Sequence, residues 1–122
     1  MLVDRGKRDL YMAGEDITDR VDRVEELEDH FGLRLARMYA EVERDDDGLY
    51  WLMVNAEIRS DSGALDENID VHVDCLDADG RIIESDRHYA MAEDFVLFGT
   101  TRVLFSRMAW NPTTLRVYPK RM

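Results

Sequence analysis

The sequence predicts a mainly β protein, an antiparallel β-sandwich with one short N-terminal helix. Three observations predict it. Several segments alternate apolar and polar residues with period two. Those segments are short and bounded by clusters of Asp, Asn, Gly and Pro, as strands joined by tight turns are. The chain of 122 residues is long enough for one core, and two prolines and seven glycines leave no room for a long flexible linker. A single domain over residues 1–122 follows.

Residues 1–15 are polar and unpatterned, so a loose arm or one edge strand is expected there. Residues 16–32, "DITDRVDRVEELEDHFG", read as the helix. Asp16 or Thr18 can cap it, acids crowd its first turns, and Gly32 can end it. Val21, Val24, Leu27 and Phe31 recur at helical spacing and make one apolar face. The sandwich then occupies residues 33–122. "LRLARMYAEVE" alternates and leads into the turn "RDDDG" at 44–48. In the next segment Tyr50, Leu52, Val54, Ala56 and Ile58 share one face, and Trp51, Met53, Asn55, Glu57 and Arg59 share the other.

After the loop "DSGALDEN", the segment "IDVHVDCLD" puts Ile69, Val71, Val73 and Cys75 on one face and Asp70, His72 and Asp74 on the other. "RIIESDRHYAM" is the next strand, "FVLFGTTRVLF" holds one or two short strands around Gly99, "WNP" is a turn, and "TTLRVYPKR" is a last strand ending at Pro119.

The formal charge is −11, from 16 basic and 27 acidic residues, with a pI of about 4.6. Such a chain repels nucleic acid and anionic membranes, so neither is an expected partner. All 27 acids lie at or before Asp94, and Arg102, Arg107, Arg116, Lys120 and Arg121 follow with no acid among them. Basic C-terminal strands lying beside acidic ones is the simpler expectation, because opposite charges on neighbouring strands stabilise. A basic patch for an acidic partner is the sharper one.

The single cysteine, Cys75, permits no internal disulfide and fits a reducing compartment. The N-terminus has no signal-like apolar run, and nowhere do about eighteen apolar residues run together. A cytoplasmic location is expected.

Asp77-Ala78-Asp79-Gly80 resembles the middle of a calcium loop. With Gly80 at the glycine position of an EF-hand, the first ligand becomes Cys75, a thiol that calcium disfavours, and the last becomes Asp86 in place of the bidentate Glu. The flanks read as strands, where an EF-hand needs helices. A hairpin turn is therefore expected, since Asp bonds the nearby backbone and Gly supplies a positive φ. "DDDG" at 45–48 repeats the pattern.

"VDCLDADGRII", preceded by "AEIRSDSG" at 56–63 and followed by an aromatic segment with "EDF", resembles the FxLYD-type domains, a bacterial family of immunoglobulin-like β-sandwiches. The naming motif falls on Val73-Asp74-Cys75-Leu76-Asp77, with Gly80 in the turn after it. Asp77 and Gly80 match by identity. Val73, Cys75 and Leu76 depart from the Phe, Leu and Tyr of the family, and Ser60 stands where Asn is common. The resemblance covers roughly residues 50–105 and excludes the helix. It implies an immunoglobulin-like sandwich acting as a non-catalytic accessory or interaction module, with no catalytic residues to transfer.

No catalytic residue, cofactor site or metal site is expected. His72 and Cys75 are three apart, which on a strand puts them on opposite faces. With residues 78 and 79 at the hairpin tip, His72 would face residue 85, away from His88. Cys75 alternates with Val71 and Val73 and reads as a core thiol. No nucleophile elbow, phosphate-cradling glycine loop or zinc-protease motif is present.

The remaining candidates suit a protein partner or a homodimer. Trp51 and Met53 lie opposite the core face of their strand, where the N-terminal helix or a partner chain would cover them. Trp110 is a core plug or an exposed loop tip. Arg116, Tyr118, Lys120 and Arg121 are residue types common at binding hot spots. The leading expectation is a non-catalytic protein-interaction or scaffolding module. Its alternative is a small-ligand or divalent-cation binder using the Asp-rich turns at 45–48 and 77–79. An enzyme with an unrecognised carboxylate site is the third.

Overall fold

The chain folds into two packed four-stranded sheets. The structure, a computed structural model, describes residues 14–95 and 98–122. Most of the expected N-terminal arm (1–13) and Val96 and Leu97 of the expected strand around Gly99 lie outside the described residues.

The strands are β1 (Glu15–Asp16), β2 (Val21–Arg23), β3 (Leu33–Arg44), β4 (Tyr50–Ser60), β5 (Ile69–Leu76), β6 (Ile82–Ala90), β7 (Phe98–Met108) and β8 (Thr114–Arg121). One helix, α1, spans Glu25–His30, and 3-10 turns occupy Thr18–Arg20 and Ala92–Asp94. The first sheet has the order β1-β3-β4-β7 and the second β2-β8-β5-β6. All neighbours are antiparallel except β2, which runs parallel to β8.

The expected alternation places the core. Leu52, Val54, Ala56 and Ile58 from β4 meet Ile69, Val71, Val73 and Cys75 from β5, all buried. Leu33, Leu35, Ala40 and Val42 of β3, Val103 and Phe105 of β7, and Leu115 and Val117 of β8 complete it. Each Val, Leu, Ile or Phe among them removed from water contributes about 1.5–3 kcal/mol before entropy is counted. The strand around Gly99 is one continuous element. The last strand runs two residues past Pro119, which lies beyond the reach of β2 because β2 pairs only with Leu115–Val117.

The expected helix over 16–32 is corrected to six residues. Asp16 belongs to β1, and Val21 pairs with Leu115 in β2. The spacing of Val21, Val24, Leu27 and Phe31 suits a helix, but Val21 is drawn into a parallel pairing with a strand more than ninety residues later. Gly32 ends α1 as expected, at φ +65°, and its carbonyl accepts from the Asp61 amide at 3.1 Å.

The short first strands cross from one sheet to the other and are held by polar groups. Ile17 N–H donates to the Ala40 carbonyl at 2.9 Å, and the Ala40 amide donates to Thr18 Oγ1 at 3.0 Å. Glu28 of α1 is fully buried. It accepts from Arg23 Nη2 at 2.6 Å, from Arg23 Nε at 3.1 Å and from the Leu35 amide at 3.0 Å. One carboxylate therefore joins β2 of the second sheet to β3 of the first.

Replacing Arg23 by Met strands that buried carboxylate. Loss of one partner of a buried pair costs about 3–5 kcal/mol. Because the Arg23 side chain keeps 32% exposure, the expected loss is at the lower end. A urea midpoint reports it, and a loss below about 0.5 kcal/mol, the range of ordinary surface substitutions, would contradict the role assigned to the pair.

Candidate functional site

Two outer faces and one cleft hold the candidate residues. The outer face of the second sheet is built around β5. Asp70, His72 and Asp74 point outward, opposite Lys120, Tyr118 and Arg116 of β8 and Tyr89, Arg87 and Ser85 of β6. Three of the expected partner-binding residues, Arg116, Tyr118 and Lys120, thus gather on one face.

Much of this face is satisfied internally. Asp74 is buried and accepts from Ser85 Oγ at 2.7 Å and Tyr118 Oη at 2.9 Å. The Tyr118 ring stacks on His72 with centroids 5.4 Å apart. Arg116 lies 3.6 Å from Asp22, and Arg121, directed elsewhere, pairs with Glu67 at 2.6 Å. Lys120 makes no ion pair among the described residues. Most of the basic C-terminal strand is therefore neutralised within the fold.

Asp70 is also buried, with Arg87 and His72 each 3.8 Å from Oδ2 and Oδ1 unbonded. His72 sits opposite Arg87, where residue 85 was expected. The hairpin tip has five residues, and a bulge between Cys75 and Leu76 adds one more to β6, so the register moves by two. His72 and Cys75 do lie on opposite faces, as the period of a strand requires.

The outer face of the first sheet is apolar at one end. Trp51 is 43% exposed, and Met53 stands directly opposite Leu104 of β7, which is 60% exposed. The helix does not reach Trp51: its indole Nε1 donates to Asp45 Oδ2 at 2.8 Å, so the ring leans on the adjacent turn. Trp110 is an exposed tip of the β7–β8 connection, whose Asn111 and Pro112 accept from Arg20 at 2.9 and 3.0 Å. Leu104 and Phe98 escaped the sequence reading. Their signal is the alternation of β7, in which Thr101, Val103 and Phe105 face inward.

The two Asp-rich turns are built alike. Asp45 Oδ1 accepts from the Asp47 and Leu49 amides, and Asp77 Oδ1 accepts from the Asp79 and Arg81 amides, each at 2.9–3.0 Å. Gly48 and Gly80 take φ of +81° and +82°. The backbone amides and the Trp51 indole hold the Asp45 carboxyl below its ordinary range, the indole bond being the larger cause. Among the described residues no group of three or more His, Cys, Asp or Glu is placed to hold a metal ion.

A cleft of about 400 Å³ opens beside the edges of β6 and β7. Arg37 of β3, Asn55 and Glu57 of β4, His88 of β6, and Thr101 and Arg102 of β7 line it. Cys75 is far from a nucleophile in character: burial first, then the charges of Glu84 and Asp74, push its thiol up to about 12.

Comparison with family models, with curated protein sequences and with solved structures gives no match.

Burial and the bond to Asp74 push the Tyr118 phenol up to about 12, and the bond to Glu41 pushes Tyr39 to the same range. An unfolded tyrosine ionises near pH 10. A raised folded value stabilises below that pH and loses its contribution as pH rises from about 10 to about 12. Phenolate absorbance should therefore show two late-titrating tyrosines in the folded protein. Tyr118→Phe should remove one and cost about 1 kcal/mol, leaving Asp74 one donor short. An unchanged titration would contradict the assignment.

Proposed function

We propose that the protein is a non-catalytic interaction module that docks a second copy of itself through the β7 edge and the adjoining apolar face. The carrying observation is the state of the four sheet edges. β1 and β2 are two and three residues long. β6 is longer but turns Glu84, Asp86 and His88 toward the inner side, a common device against edge pairing. β7 has eleven residues and pairs only with β4 among the described residues. It shows Phe98 and Leu104 outward, and Leu104 continues into Met53 and Trp51. A long, exposed, partly apolar edge is what strand addition uses.

Three further points favour a binding role over a catalytic one. The Cys75 thiol is buried and its pKa raised, His72 lies on the opposite face from it, and Asp45 and Asp77 of the Asp-rich turns are bonded to their own backbone. The resemblance of residues 50–105 to FxLYD-type domains agrees in class. A cytoplasmic setting suits a single unpaired thiol.

Light scattering at low and high salt tests the reading. The expected mass is twice the 14.3 kDa of one chain and insensitive to salt, because the contact is apolar. Leu104→Lys should give a folded monomer whose melting temperature no longer rises with protein concentration, as that of the wild type should. A wild-type monomer at millimolar concentration would contradict the proposal, and a dimer lost in salt would move the contact to Lys120 and its charged neighbours.

A further inference from the structure

We infer that the cleft beside β6 and β7 is a binding site for a small oxyanion, a carboxylate or phosphate group of a ligand. The first support is the distribution of ion pairs. Eight arginines among the described residues lie within 4 Å of a carboxylate: Arg20, Arg23, Arg34 and Arg59 in the first half, Arg81, Arg87, Arg116 and Arg121 in the second. In a chain of charge −11 that outcome is expected. Four have no such partner among the described residues: Arg44, which lies over the Tyr50 ring, Arg107, Arg37 and Arg102, and the last two line this cleft.

The second support is geometric. Arg37 sits at a bulge in β3, where the register shifts between Ala36 and Tyr39, and holds φ at +51°. Glycine is the residue that suits this conformation, and a long side chain there costs backbone strain. The bulge directs Arg37 to the same cleft as Arg102, whose Nε is already fixed by Asn55 Oδ1 at 3.0 Å. The remaining guanidinium donors of both arginines stay available for a planar or tetrahedral oxyanion.

The third support is the charge balance of the lining. The one acid in the lining, Glu57, is tied to Arg59 and so does not neutralise the cleft.

The test is a titration of ¹⁵N-labelled protein with inorganic phosphate and, separately, with succinate, at constant ionic strength. The expected result is saturable shifts at the amides of Thr101, Arg102 and His88 with at least one ion. Arg37→Gly and Arg102→Gln should each weaken that binding at least ten-fold. Arg37→Gly should melt at or above the wild-type temperature, since it relieves the positive φ, so its loss of binding cannot be ascribed to unfolding. Saturation by phosphate alone assigns a phosphoryl-bearing ligand, and saturation by succinate assigns a carboxylate. Linear shifts spread over the surface, or equal affinity in the Arg37→Gly protein, would overturn the inference.

Discussion

The buried Glu28 carboxylate is the interaction on which the crossing of the chain between the two sheets depends. It takes two donors from Arg23, in β2, and one from the Leu35 amide, in β3. β2 contributes only three residues to its sheet, and α1 has fewer than two turns. Neither element would persist on its own propensity. Burying an ionised carboxylate costs several kcal/mol unless it is paired and bonded. Here three donors meet it, so the segment must be in place before the charge can be tolerated, and the charge in turn holds the segment. Thr18 and Ile17 secure the other end of the crossing at Ala40.

With the sheets joined, the two outer faces take different characters. The outer face of the second sheet closes over a polar network, in which Asp74, Ser85, Tyr118 and His72 satisfy or stack on one another. The outer face of the first sheet ends in Trp51, Met53 and Leu104, with no such closure. The cleft is lined mainly by β4 and β7, with one residue each from β3 and β6. Such a module carries its recognition chemistry at edges and faces, while the core carries none.

Much of the fold was legible because it is local. Period-two alternation separated the faces of β4 and β5, and it put Cys75 in the core correctly. Asp77 and Gly80 spelled a hairpin turn, because the bonds of that turn form within five residues. Gly32 marked the end of α1. What was not legible depends on partners distant in sequence. Val21 looked helical until β8 paired with it. Asp70 and Asp74 read as lying on the face away from the core, yet both are buried, because β5 is a central strand and the longer side chains of β6 and β8 close over it. A five-residue tip and a bulge together shifted His72 from residue 85 to Arg87. The cleft draws on β3, β4, β6 and β7, and no run of sequence contains it.

Native-state hydrogen exchange at the Leu35 amide tests the hold on this crossing most directly. This amide donates to a side chain of another element, so its protection reports whether Glu28 is in place. If the pair locks the crossing into the fold, Leu35 exchanges only on global unfolding, with a free energy within about 1 kcal/mol of that of Val73 in the core. Exchange of Leu35 through a much cheaper local opening, while Val73 stays protected, would show that the crossing opens on its own and that the rest of the fold does not depend on the Glu28 carboxylate.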